Sequence, residues 1–134
     1  MGLKGTGKTK TLVDLVRVAV DEEQGDVVCI EKDKNLTYDI PYQARLVHAS
    51  EYGISNMERM AGFISGLAAG NYDITHVFID NLYKIIGQPD DAVLAQFLAW
   101  LDQFGEAQQI VFTVTVSADP EGYGDAIKKY LYKA

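Results

Sequence analysis

Gly2-Leu3-Lys4-Gly5-Thr6-Gly7-Lys8-Thr9 opens the chain and satisfies the spacing G-x-x-x-x-G-K-[ST]. These residue types suit the cradle of an anion. Gly2, Gly5 and Gly7 reach backbone angles closed to other residues, so successive amide N–H groups can turn inward around a phosphate. Lys8 supplies a point charge for β- and γ-phosphate oxygens, and the Thr9 hydroxyl is placed to ligate Mg²⁺. Lys4 and Lys10 extend a local basic patch around the loop. The helix expected next would bring its positive N-terminal dipole beneath the phosphates. The bland alternative is a solvated Gly/Lys turn. A loop of this kind ordinarily follows a buried β-strand, and only Met1 precedes Gly2. The sequence therefore predicts that the first strand is truncated or missing, or is supplied by something else.

Composition sets the outer bounds. The 134 residues give room for one domain, taken as 1–134, with one sizeable core. At 48% hydrophobic and 23% charged, with 3 prolines, the chain has the make-up of an ordered globular protein. A net charge of −7 argues against a broad nucleic-acid surface, so nucleic acid is not the expected partner. The single cysteine, Cys29, lies in an apolar run and is expected in the core. With two distant histidines it forms no zinc pattern. Neither a signal sequence nor an apolar run of membrane-spanning length is seen, so the expectation is a cytoplasmic protein without a membrane partner.

Helical and strand patterns alternate along the chain, as in a layered α/β domain. Lys8 to about Glu22 reads as a helix, and Asp26 to Glu31 as a short buried parallel strand. Leu36-Thr37-Tyr38 and Arg45-Leu46-Val47 could be strands around Ile40-Pro41. Ser55, with Glu58 three residues on, suggests a capping box for a helix running to about Ala69. His76 to Asp80 reads as a strand. Asp90 or Asp91 could cap a helix with the stripe Val93, Leu94, Phe97, Leu98, Leu101 and Phe104. Gln109 to Ser117 is the strongest strand pattern, and Asp119-Pro120 starts a last helix. The 8 tyrosines show no fixed spacing and are expected mostly as packed rims of the core.

Val77-Phe78-Ile79-Asp80 is the second chemical constellation: an apolar strand ending in a carboxylate, able to orient a water on Mg²⁺. Together with Gly2 to Thr9, it resembles the paired motifs of the P-loop nucleoside triphosphatases. The resemblance implies a three-layer α/β/α fold with a mostly parallel sheet, and ATP with Mg²⁺ as ligand. Gly2, Lys4, Gly5, Thr6, Gly7, Lys8, Thr9 and Lys10 would bind the nucleotide. Thr9 and Asp80 would serve the metal, and Lys8, Glu31 and Asp80 the chemistry. A strand and helix between the loop helix and the Asp80 strand are similar to the additional-strand branch, which includes RecA-like recombinases, hexameric helicases and secretion or motility ATPases. In that branch a carboxylate polarises the attacking water. It stands either directly after the acidic-motif Asp, where this chain has Asn81, or at the end of the second strand, where it has Glu31-Lys32-Asp33. Glu31 is favoured, with Asp33 the near alternative and a plain surface acid the bland one. Thr115 or Ser117 is assigned by analogy as a sensor of the γ-phosphate.

Departures from the pattern shape the expected activity. There is no N-K-x-D guanine-reading motif. The arginines are Arg17, Arg45 and Arg59, and an arginine on the developing charge is worth about 10³–10⁵ in rate. Hydrolysis by the chain alone is therefore expected to be weak, with a partner or a second copy supplying a cation. The alternatives are a nucleotide-responsive regulatory module and, behind it, a small-molecule kinase. In the additional-strand branch, losing the first and fifth strands leaves the remaining ones contiguous; in the GTPase/kinase-like branch, losing the first would split the sheet. The Ile110 to Ser117 strand would then be an open apolar edge, inviting a homo-oligomer or another protein.

Overall fold

Val27-Val28-Cys29-Ile30 is apolar at every position, which suits a strand covered on both faces, and it forms the interior of β1 (Asp26–Glu31). A computed structural model describes residues 8–22, 24–33 and 39–116, apart from the side chains of residues 8–11. Before β1 comes α1 (Lys8–Glu22); after it come β2 (Arg45–His48) and a 3₁₀ turn (Ala49–Tyr52). Next are α2 (Met57–Gly70), β3 (Ile74–Ile79), α3 (Leu82–Ile86), α4 (Asp91–Gln108) and β4 (Val111–Val114). The strands form one all-parallel sheet in the order β2-β1-β3-β4.

The period-2 alternation of the strands divides the core in two. Val28, Ile30, Val47, Val77, Ile79 and Val114 face α2 and α4, whose Met60, Ile64, Leu94, Phe97, Leu98 and Leu101 are buried against them. On the other side Val27, Cys29 and Phe78 meet Leu12, Val13, Val16 and Ala19 of α1. Helices thus cover both faces of the sheet, the arrangement parallel strands require. Among the described residues no helix is long and apolar enough to cross a membrane.

The direction of α1 positions everything that follows. Its C-terminal half lies beside the residues leading into β2: the Arg17 guanidinium donates to the Asp39 carbonyl at 3.3 Å, and Ile40 and Ala44 share the α1 core. The helix therefore runs opposite to the strands. Its 15 residues span about 22 Å and the 6 of β1 about 20 Å. The Lys8 end of α1 is accordingly level with the C-terminal ends of the strands.

Several boundaries differ from the sequence expectations for local reasons. Asn56, not Ser55, caps α2: its backbone is extended and its side-chain oxygen accepts the Arg59 N–H at 2.8 Å. Asn is as good a cap as Ser, and the helix simply begins one residue later. Asp90 caps α4 as expected, accepting from Val93 N–H at 2.9 Å. Val93 itself is exposed rather than part of the buried stripe. β4 is shorter than the Gln109–Ser117 pattern because Gln109 ends α4 in the left-handed region, with φ 59°. The chain turns so tightly there that a Cβ on Gly105 would lie 2.5 Å from the Ile110 carbonyl oxygen. α3 was not expected. Tyr42, Tyr52 and Tyr72 are exposed, against the expectation of packed rims. Leu36-Thr37-Tyr38, Ser117 and the helix expected from Asp119-Pro120 lie outside the described residues.

Candidate functional site

Three polar residues end three neighbouring strands. Glu31 closes β1, Asp80 follows β3, and Thr115 follows β4. The ladder holds Ile30, Ile79 and Val114 side by side. It extends one step further: Asp80 N–H donates to the Ile30 carbonyl at 2.8 Å and Thr115 N–H to the Ile79 carbonyl at 3.0 Å. Glu31, Asp80 and Thr115 thus occupy one row, spanning about 10 Å at the usual strand spacing. The residues just before them (Ile30, Ile79, Val114) all point toward α2 and α4. Alternation therefore puts the row on the opposite face, the one α1 covers, at the end where α1 begins.

Thr115 binds this row together. Its hydroxyl donates to an Asp80 carboxylate oxygen at 3.1 Å and accepts the Asn81 N–H at 2.8 Å, while its carbonyl accepts Leu82 N–H at 2.9 Å. The segment after β3 is clamped on both sides of Asp80. Thr115→Val keeps the shape and removes the hydroxyl, leaving the Asn81 N–H without that acceptor. We expect it to lower stability by about 1–3 kcal/mol in urea unfolding. An unchanged midpoint would contradict the clamp.

Asn81 has φ 52° and ψ 66°, the left-handed region that Asn tolerates better than most residues. A glutamate at position 81 would be strained there. Glu31 is buried, at 2% exposure, with the nearest His48 nitrogen 3.8 Å from its Oε2. Asp33 is exposed instead, its carboxylate accepting the Ser50 hydroxyl at 3.1 Å. The geometry separates the two acids that the sequence left as alternatives. Cys29 is wholly buried beneath the row; burial pushes its thiol far up, and the charges of Asp80 and then Glu31 add to this. It is a core residue, not a nucleophile.

Lys8, Thr9 and Lys10 form the first turn of α1, at the end of the sheet carrying the row; their side chains lie outside the described residues. Gly2, Lys4, Gly5, Thr6 and Gly7 also lie outside them. Arg17 is tied to Asp39 at the far end of α1, Arg59 donates to the Gly53 carbonyl at 3.0 Å, and Arg45 begins β2. His48 had no place in the sequence expectations, because only the β1–β2 register sets it opposite Glu31.

No protein-family model matches the chain, and no curated protein matches it in sequence.

Proposed function

We propose that this chain binds ATP with Mg²⁺ at the start of α1 and hydrolyses it weakly, or under stimulation by a partner. One observation carries the reading. Glu31, Asp80 and Thr115 converge on the sheet face and the strand ends beside which α1 begins, and the residues entering α1 carry the G-x-x-x-x-G-K-T spacing. Ligands of parallel α/β sheets bind beyond the carboxyl ends of the strands. Gly2 to Gly7 would wrap the triphosphate, and Lys4, Lys8 and Lys10 would supply its positive surroundings. Oxygen donors from Thr9 and Asp80 suit Mg²⁺, which takes one or two protein ligands beside phosphate oxygens. Bound there, Mg²⁺ would offset charge on the phosphates. Glu31 would accept a proton from the attacking water, and Thr115 holds Asp80 in place.

The unbroken β1-β3-β4 order supports the additional-strand branch, since the Asp80 strand is flanked directly on both sides. Asn81 directly after Asp80 and the scarcity of arginine favour a second reading, a nucleotide-responsive regulatory module. On the ATPase reading, Arg45 or Arg59 of a second copy, or a partner's residue, would supply the cation in trans. Mg²⁺-dependent ADP release separates the two: turnover abolished by Glu31→Gln supports an ATPase, and tight binding without turnover supports the regulatory module.

A partner is expected at β4, which pairs only with β3 among the described residues and leaves Val111 56% exposed. An open apolar edge invites a second copy or another protein's strand. Sedimentation should detect self-association at tens of micromolar, and Val111→Lys should disperse it. A wild-type monomer at those concentrations would contradict self-pairing.

A further inference from the structure

We propose that His48 is a positioning residue for the Glu31 carboxylate, an inference that rests on reading Glu31 as the base. The two residues are register partners at the ends of neighbouring parallel strands. Val47 points into the α2/α4 core, so Leu46 and His48 share the α1 face with Glu31. His48 Nε2 is 3.8 Å from Glu31 Oε2, with the two side chains 15% and 2% exposed. Among the described residues that ring nitrogen is buried without a hydrogen-bond partner, a condition that a protein seldom leaves uncompensated.

Closing the gap needs a shift of only about 1 Å, well within reach of a rotation about the last torsions of Glu31, and yields an Nε2–H···O bond of ordinary length. A neutral imidazole carries one ring N–H, so its tautomer with hydrogen on Nε2 is sufficient. The other ring nitrogen, Nδ1, lies 3.8 Å from Glu51 Oε1. Glu51 is 46% exposed, whereas Glu31 is 2% exposed. Glutamate has three side-chain torsions, and a base must present its oxygen within about 3 Å of the proton it takes. A donor fixed by the β1–β2 ladder restricts those torsions, holding Oε2 on the β2 side and leaving the other oxygen to accept the proton. Neighbouring Cys29 and Asp80 offer no such hold from the β2 side.

The test uses the full chain and compares His48→Leu, which removes the donor, with His48→Gln, which keeps one. His48→Leu should lower kcat by roughly 10–100-fold, the cost of a misplaced reacting group, with ATP affinity unchanged, and His48→Gln should recover part of the loss. Wild-type turnover in His48→Leu, with Glu31→Gln inactive, would overturn the positioning role alone. Wild-type turnover in Glu31→Gln would overturn the base itself. A second readout needs no turnover. The chain has 2 histidines, so ¹⁵N spectra resolve their ring nitrogens. Glu31→Gln should shift the Nε2 signal of His48 and spare His76; an unmoved His48 signal overturns the proposal.

Discussion

Lys8→Ala should weaken Mg²⁺-ATP binding by roughly 10–100-fold, the equivalent of one or two charge-assisted hydrogen bonds. The expectation follows from the loop spacing together with the position of Lys8 in the first turn of α1, at the end of the sheet where Glu31, Asp80 and Thr115 converge. The fold should survive. A lysine at a helix N-terminus opposes the macrodipole and alanine is the better helix former, so α1 loses nothing by the change. Anisotropy of a fluorescent ATP analogue reads the affinity, and thermal unfolding checks the fold. Wild-type affinity in a folded Lys8→Ala protein would remove the phosphate cradle from the account.

Glu31→Gln is the second large effect. It should leave nucleotide affinity within a few-fold and lower turnover by about 10²–10⁴, the usual worth of a positioned general base. The substitution keeps the side chain's size, and an unchanged thermal midpoint separates a drop in turnover from unfolding. Steady-state ADP release at saturating Mg²⁺-ATP measures it. Equal rates in the two proteins would shift the base elsewhere, and position 81 is a poor candidate given its left-handed backbone.

The strand ends were legible because burial and chemistry agree there. Val77-Phe78-Ile79 is a short, continuous apolar run of the kind a strand covered on both sides uses, and Asp80 breaks it at the sheet's rim. Val27 to Ile30 followed by Glu31 repeats the device. Non-local pairing was not legible. Nothing within Arg45 to His48 says that it lies beside β1 rather than β4, so the Glu31–His48 meeting emerged only from the register. Thr115 or Ser117 is a nucleotide sensor only by analogy, and the bonds of Thr115 run to Asp80, Asn81 and Leu82. The short α3 is not legible in the sequence because Leu82 to Ile86 holds one turn and a fraction, too little for helical periodicity to register. Ser55 and Asn56 are both competent caps, and the backbone decided between them.

Isothermal titration of the wild-type chain with ATP, with and without Mg²⁺, bears most directly on the central claim. A saturable heat at one site per chain, dependent on Mg²⁺, is the expected result. No heat with adenine or guanine triphosphate in the presence of Mg²⁺ would contradict it, leaving the parallel sheet and its clamped row without a nucleotide to serve.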